Sequence, residues 1–161
     1  PTNYRAILRK LAALGRADEA FELLRDMSEA GVAPDARAHT EVLTELLRSG
    51  DSASAAAHAS ALRQSSKPSA RDLPLFNVML QSLLKEGRTT EASELLGELR
   101  AAGLEPSART LNILLTSFTS RGRLPEALEV FNSYCAAGGS PGAVSYNVLI
   151  SAFARRGELV N

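Results

Sequence analysis

The composition of this 161-residue chain gives little indication of a reactive site, since it has no tryptophan and a single cysteine, Cys135. One cysteine excludes a disulfide within the chain and any multi-cysteine metal site. No apolar run reaches the roughly eighteen residues that a membrane-spanning helix needs. The 18 basic and 18 acidic residues give a formal net charge of zero. Overall charge therefore gives no argument for binding nucleic acid or an acidic membrane.

What the sequence has is a repeat, marked by glycines in the segments LGR, SGD, EGR, RGR and RGE. These are Gly15, Gly50, Gly87, Gly122 and Gly157, spaced by 35, 37, 35 and 35 residues. A second set of turns also recurs, as GVAPD (31–35), GLEPS (103–107) and GSPG (139–142). We divide the chain into repeats 1–35, 36–72, 73–107, 108–142 and a truncated 143–161. Because it starts at Pro1 and stops in mid-repeat, we expect it to be part of a longer protein.

Each full repeat is predicted to form two helices. In the fourth repeat, Leu111, Leu114, Leu115 and Phe118 have the spacing of one apolar helical face. Gly122 is expected to end that helix, because glycine accepts the left-handed conformation there. Ala127, Leu128, Val130, Phe131 and Tyr134 form the next apolar face. Short helix pairs of this kind are stable only when stacked, so we predict an all-α solenoid of helix–turn–helix repeats.

A small residue recurs at one place in the second helix of each repeat, as Ala20, Ala55, Ala92 and Ala127. It is expected to let the two helices approach closely. The second repeat is degenerate, since its second helix (SASAAAHASAL) has Ala and Ser where the other repeats have Leu and Phe. We predict thinner packing and more mobility there, followed by the polar connection QSSKPSARD (64–72).

An asparagine also recurs with the period, in LFNVML, TLNILL and SYNVLI, as Asn77, Asn112 and Asn147. Asparagine near a helix start can cap the helix. These residues, however, are predicted to lie about one position inside the cap and beside the apolar stripe. We therefore favour a second interpretation, in which the amides face a ligand and need no partner inside the fold.

Several segments resemble the pentatricopeptide repeat family. They are VSYNVLI (144–150), then F-x-R-x-G (153–157), G-R-x-x-E-A-x-E-L-L (87–96) and GVAPD (31–35). The signature motifs of tetratricopeptide and ankyrin repeats are absent. The resemblance covers the whole chain and implies a right-handed superhelical solenoid. It also implies sequence-selective single-stranded RNA binding in organellar RNA metabolism, with about one nucleotide read per repeat.

In this family the fifth residue and the last residue of each repeat choose the base. The resemblance thus assigns base reading to Arg5 with Asp35, Thr40 with Asp72, Asn77 with Ser107, Asn112 with Gly142, and Asn147. It implies guanine for the second repeat, cytosine for the third and pyrimidines for the last two. The RNA expected, from 5′ to 3′, is N–G–C–Y–Y.

The resemblance also assigns base stacking to the second residue of each repeat: Thr2, Arg37, Pro74, Arg109 and Val144. Phosphate binding is assigned to cations near the end of the first helix: Arg48, Lys85, Arg121 and Arg155. The alternative for these cations is that they stabilise the helix C-terminus. His39 is predicted to be a packing residue, and His58 is isolated, without metal-ligand spacing to Cys135.

No catalytic constellation, cofactor motif or metal-ligand spacing is present, so we do not expect the chain to be an enzyme by itself, and no membrane role is indicated. The family resemblance implies a mitochondrial or chloroplast protein, with RNA and other ribonucleoprotein components as partners. A different function stays open, in which the chain is a non-catalytic scaffold subunit of a large organellar assembly such as a ribosome.

Overall fold

The computed structural model describes residues 2–65 and 72–157, and within these ranges all regular structure is helical. The helices are α1 (Thr2–Ala13), α2 (Ala17–Glu29), α3 (Ala36–Ser49), α4 (Ser52–Ser65), α5 (Leu73–Lys85), α6 (Thr89–Ala101), α7 (Ala108–Ser120), α8 (Leu124–Ala136) and α9 (Ala143–Arg156). Helices α1 to α8 fall two to a repeat and α9 lies in the fifth, which confirms the all-α repeat architecture; the bounds of the repeats stay a prediction. The handedness of a superhelix stays a prediction.

The periodic glycines end the first helix of each repeat, as predicted. Gly15, Gly50, Gly87, Gly122 and Gly157 all have positive φ, between 70° and 90°. An L-residue with a Cβ pays about 1–2 kcal/mol in this left-handed conformation, whereas glycine does not. The periodic glycines therefore mark the points where the backbone leaves the first helix of each repeat.

The two compact units of the chain are Pro1–Glu98 and Leu99–Asn161, and the boundary between them falls within α6. In the first unit, α3 packs against α1 on one side and α5 on the other. Helix α2 packs on α1, and α4 packs on both α3 and α5. The first helices of these repeats thus form one layer, in which each repeat contacts the next.

In the second unit, α7 packs against both α8 and α9. Its core contains Leu111, Leu115, Ala127 and Leu149, and Phe118 and Phe131 pack against it partly buried. The apolar faces predicted for the fourth repeat are therefore confirmed. The recurring alanines are confirmed as close-packing positions too, because Ala20, Ala55, Ala92 and Ala127 are all at most 1% exposed.

The degenerate second repeat forms its second helix, and that helix is tied to its neighbour by polar contacts that its composition does not reveal. Arg63 on α4 pairs with Glu94 and Glu98 on α6, at 2.5 and 2.9 Å. The Ser60 hydroxyl donates to Glu91 Oε2 at 2.5 Å, and this bond is the main reason the pKa of Glu91 is lowered. These polar contacts supplement the packing of the buried alanines Ala55, Ala56 and Ala59, while the predicted thinner packing and mobility stay predictions. Most of the QSSKPSARD connection lies outside the described residues.

Candidate nucleic-acid interface

The last and the second residues of the repeats, to which the family resemblance assigns base reading and base stacking, lie at the starts of the first helices. Asp35, Asp72, Ser107 and Gly142 are the N-cap residues of α3, α5, α7 and α9. The second residue of each repeat stands two positions further along. In this geometry the cap and the exposed second residue share the first helical turn, which is where free backbone N–H groups are found.

The candidate base-stacking residues are exposed wherever their side chains are described. Arg37, Pro74 and Arg109 are on the surface, and Val144 is 57% exposed. An apolar side chain or a guanidinium plane exposed at a helix start can cover the face of a base. The side chain of Thr2 lies outside the described residues.

The two base-reading residues of the first repeat contact each other. Arg5 Nη2 lies 2.5 Å from Asp35 Oδ2, while Asp35 Oδ1 accepts from the Ala38 N–H at 2.8 Å. Burial alone would raise the pKa of Asp35, but the Ala38 N–H and the Arg5 guanidinium outweigh it and hold the pKa below its usual value. Both carboxylate oxygens of Asp35 thus have protein partners.

In the second repeat the two reading residues have different surroundings. The Thr40 hydroxyl donates to the Ala36 carbonyl at 2.7 Å. Asp72 caps α5 without a side-chain hydrogen bond to the helix. It lines a cavity of about 150 Å³ together with His39 and Phe76.

The three asparagines differ in burial, which corrects the sequence interpretation. Asn77 is only 4% exposed, Asn112 is half-buried and Asn147 is exposed. Asn112 Oδ1 accepts from the Ser145 hydroxyl at 2.5 Å, and Asn77 also has an interaction partner. The expectation that the amides need no partner inside the fold is therefore wrong for Asn77 and Asn112. Packing against neighbouring helices, which a single-helix pattern does not contain, causes this burial.

The position of these asparagines relative to the caps also needs correction. Asn112 stands five residues after the N-cap Ser107, and Asn147 stands five after Gly142, not one position inside the cap. Side-chain capping hydrogen bonds come instead from two of the residues that end the repeats, Asp35 and Ser107. Ser107 forms a capping box with Thr110, in which each side chain bonds the other residue's backbone N–H.

The candidate phosphate-binding cations lie at the other end of the first helices, where two of them donate to backbone carbonyls. Lys85 Nζ donates to the Leu47 carbonyl at 3.4 Å, and Arg155 Nε donates to the Ser151 carbonyl at 3.2 Å. Arg48 pairs with Glu45 at 3.0 Å, while Arg121 is the C-cap residue of α7. Phosphate binding and stabilisation of the helix C-terminus are both compatible with the place of these cations at the end of the helix.

Two open grooves lie between consecutive first helices, one in each unit. The groove between α7 and α9, of about 410 Å³, is lined by three candidate site residues, Val144, Asn147 and Arg155. The groove between α1 and α3, of about 440 Å³, is lined by Arg48 together with Arg9 and Lys10. Sequence reasoning missed Arg9 and Lys10. Both stand three or four residues from Ala6 and Ala13, which line the same groove, so all four share one face of α1.

A repeated ion pair at the start of the second helices was also missed. Arg16 pairs with Glu19 at 2.5 Å, Arg88 with Glu91 at 2.6 Å, and Arg123 with Glu126 at 2.9 Å. The signal is visible in the sequence as G-R-x-x-E, with the two charges three residues apart. These arginines directly follow the turn glycines, and their ion pairs lie at the start of the second helix of each of these repeats.

His39 and His58 are joined, which sequence spacing did not indicate. His39 Nδ1 lies 3.1 Å from His58 Nε2, and the His58 ring stacks on Phe21 with ring centroids 4.3 Å apart. Burial, followed by the proximity of His39, lowers the pKa of His58 to about 4.

In the described ranges no group of three His, Cys, Asp or Glu side chains could hold a metal ion. Nor is any helix of those ranges sufficiently long and apolar to span a membrane.

Solved structures with the same fold come from maize PPR10, a pentatricopeptide repeat protein. One crystal structure of it is 24% identical, with a TM-score of 0.68 over 91% of this chain and 20% of that one. PPR10 in complex with an 18-nt psaJ RNA element is 21% identical, with a TM-score of 0.67 over 95% of this chain and 22% of that one. The chain thus spans about a fifth of the length of these structures. A search of curated protein sequences found no match.

Two family models match along the sequence. The PPR repeat family model matches residues 71–120, and the PPR repeat model matches residues 2–32, 109–138 and 144–160. These ranges begin near the repeat boundaries that the glycines and N-caps define. Because the matches together cover well over half of the chain and agree with its helix pairs, this chain belongs to the pentatricopeptide repeat family.

Proposed function

We propose that this chain is a single-stranded RNA-binding module that acts in organellar RNA metabolism by sequence-selective binding. The groove between α7 and α9 carries the proposal, since it holds a candidate stacking residue, a candidate reading residue and a candidate phosphate ligand together: Val144, Asn147 and Arg155. The target transcript is held passively, as a protected or remodelled strand. Processing, stability, editing and translation all depend on that kind of binding.

The chemistry of this groove suits a nucleotide. The exposed Val144 offers an apolar surface for a base face. The exposed Asn147 amide has both donors and acceptors for a base edge. Arg155 keeps a fixed positive charge for a phosphate oxygen. Three elements of nucleotide recognition therefore line one groove.

The likeness to PPR10 supports the proposal, because that protein has been solved with a bound RNA element. The present chain has five repeats at most and would read about five nucleotides. A unique site in a transcript needs more, so further repeats or partner proteins are part of the proposal for the whole protein. Its setting in a mitochondrion or chloroplast is proposed on the same family basis.

A second candidate is a scaffold subunit of a large organellar ribonucleoprotein assembly. The observation that favours it is the Arg5–Asp35 ion pair, in which the two reading groups of the first repeat bind each other. A repeat closed in this way contributes surface to an assembly without reading a base.

A salt-dependent titration distinguishes the two candidates. Fluorescence anisotropy with labelled N–G–C–Y–Y RNA and a scrambled RNA is expected to show tighter binding of the first. Arg155→Ala is expected to reduce the slope of log K against log salt by about 0.7, the share of one phosphate contact on a single strand. Arg25→Ala, which changes an exposed arginine on α2 outside both grooves, is the matched control and should leave the slope unchanged. Equal affinity for both RNAs would favour the scaffold candidate.

A further inference from the structure

The groove between α1 and α3 differs in charge from the groove between α7 and α9. Three cations line the first groove, Arg9, Lys10 and Arg48, together with the carboxylate of Glu45. The second groove is lined by one cation, Arg155, and its other polar side chains are neutral. Three cations against one carboxylate leave the first groove with an excess of two positive charges.

The charge of Arg48 is partly balanced, whereas the two charges on α1 are not. Arg48 Nη2 lies 3.0 Å from Glu45 Oε1, and Glu45 is only 8% exposed. Arg9 and Lys10 are both exposed, and the ion pairs of the described ranges involve neither of them. Cations gathered along a groove attract a polyanion. The charge on α1 is therefore accessible to a ligand of that kind.

This arrangement is specific to the first repeat, in which Arg9 and Lys10 are the ninth and tenth residues. The other repeats have neutral or acidic side chains at these two positions: Thr44 and Glu45, Gln81 and Ser82, Thr116 and Ser117, and Ser151 and Ala152. The thirteenth residue of the first repeat is Ala13, so the cation that the family resemblance assigns to phosphate is missing there. Arg9 stands four residues earlier, on the same face of α1. The first repeat thus has its positive charge one helical turn nearer the start of the helix.

The same repeat has its two candidate base-reading side chains bound to each other. Arg5 Nη2 lies 2.5 Å from Asp35 Oδ2, and Asp35 Oδ1 accepts from the Ala38 N–H. The side chains that line the α1–α3 groove are charged or are alanines, and none of them is an amide or an aromatic ring. Contacts from charged side chains to phosphates position a strand and carry no sequence information directly.

We propose that the α1–α3 groove is a phosphodiester-binding site, in which Arg9 and Lys10 bind the RNA backbone and the first repeat positions the strand without reading a base. This rests on the proposed RNA-binding function and adds to it a phosphate site in the repeat to which the resemblance assigns none. An RNA strand is favoured over an acidic peptide, because α3 also carries the candidate stacking and reading residues of the second repeat, Arg37 and Thr40.

The first experiment changes the first nucleotide of N–G–C–Y–Y RNA and measures affinity by fluorescence anisotropy. All four bases at this place, and an abasic nucleotide, are expected to bind within about twofold of each other, since only the backbone is held. Removing the nucleotide together with its phosphate is expected to weaken binding roughly three- to tenfold, the worth of about two exposed charge contacts. A preference for one base of about fivefold or more, or an equal loss on removing the base alone, overturns the proposal.

The second experiment removes the two charges from α1. The double variant Arg9→Gln/Lys10→Gln is expected to reduce the slope of log K against log salt by about 1.4, at about 0.7 for each phosphate contact. Its affinity should fall by the same factor for N–G–C–Y–Y and for scrambled RNA. The matched control Arg25→Gln/Arg100→Gln removes two exposed charges from the second helices α2 and α6 and should leave the slope unchanged. Glutamine is nearly as good a helix former as arginine or lysine, so both variants should keep the melting temperature.

The outcomes separate this site from the proposed function as a whole. An unchanged slope in Arg9→Gln/Lys10→Gln, or a loss of affinity confined to the N–G–C–Y–Y RNA, overturns the phosphate site, and discrimination by the unaltered chain then leaves the proposed function standing. A glutamate-rich peptide of the same charge as the RNA is the third ligand. If it binds the unaltered chain more tightly than RNA does and loses that affinity in the double variant, the groove belongs to an acidic protein partner. Failure of the unaltered chain to bind either RNA overturns the proposed function itself.

Discussion

Arg5 and Asp35 form an ion pair with 2.5 Å between Nη2 and Oδ2, although 30 residues separate them in the chain. The same Asp35 carboxylate caps α3 through the Ala38 N–H. One side chain thus joins the first repeat to the second and closes the positions at which the first repeat was expected to read a base.

Replacing Asp35 tests this double role. Asp35→Ala removes the cap and the ion pair, and we expect it to lower the free energy of unfolding by about 1–2 kcal/mol. Asp35→Asn keeps a capping oxygen and loses the charge, so its effect should be smaller. Chemical denaturation measures both. Asp72→Ala is the control, because Asp72 makes no side-chain hydrogen bond to its helix, and a loss there as large as at Asp35 would contradict the cap assignment.

The His39–His58 contact predicts a pH-dependent stability. Burial, followed by His39, lowers the pKa of His58 from 6.5 to about 4, so the unfolded chain binds a proton more readily than the folded chain. The stability that the neutral His58 contributes is therefore fully present above pH 6.5 and is lost as the pH falls toward 4. The loss amounts to up to about 3 kcal/mol, at 1.36 kcal/mol for each pKa unit.

The variant His58→Phe isolates this contribution, since it keeps an aromatic ring beside Phe21 and removes the titration. Unfolding free energies measured between pH 7 and pH 4 should fall less steeply in the variant than in the unaltered chain. Carboxylates titrate in both proteins, so the difference between the two slopes is the quantity of interest. Parallel slopes would show that the His58 ring does not titrate as proposed.

The turn glycines predict opposite effects for two Gly→Ala substitutions. Gly122 has φ of +70°, so Gly122→Ala should destabilise the chain by about 1–2 kcal/mol. Gly97 lies inside α6, and nothing stands within 4 Å of an added Cβ. Gly97→Ala should stabilise by about 0.5–1 kcal/mol, since alanine is the better helix former. Melting temperatures that move in the same direction for both variants would refute this explanation.

The ion pairs of Arg63 predict a salt-sensitive link between α4 and α6. Arg63→Ala should reduce stability by about 1 kcal/mol at low ionic strength and by less at high salt. Arg25→Ala, which breaks an exposed pair of 3.7 Å within α2, should cost only a few tenths of a kcal/mol. A double-mutant cycle with Glu98→Gln gives the coupling energy. No coupling would mean that the Arg63–Glu98 pair does not help to hold α4 against α6.

Much of the fold could be predicted from the sequence because its signals are local. A glycine with positive φ, such as Gly122, acts within its own turn, and the apolar spacing around Leu115 acts within its own helix. The helix pairs and repeat boundaries follow from these two signals. The exposure of the candidate stacking residue Val144 was likewise consistent with its place at a helix start.

The candidate site was less predictable, because its surroundings come from other helices. The burial of Asn77 and the bond from Ser145 to Asn112 depend on which faces meet in the folded chain. The contact of His39 with His58 joins residues on different helices with no common spacing. The G-R-x-x-E pairs, such as Arg123 with Glu126, are a different case, since their three-residue spacing was available in the sequence.

The position of the last residue of each repeat at a helix N-cap has a consequence for the proposed RNA-binding function. Asp, Asn, Ser, Thr and Gly are the residues that start helices well, and an aliphatic residue at the same place loses about 1 kcal/mol of helix stability. Asp35, Ser107 and Gly142 all belong to this set. Substitutions within these five residues are expected to preserve the helix start. Under the proposed RNA-binding function, the choice of base-reading residue at this position is therefore limited by the requirements of helix initiation.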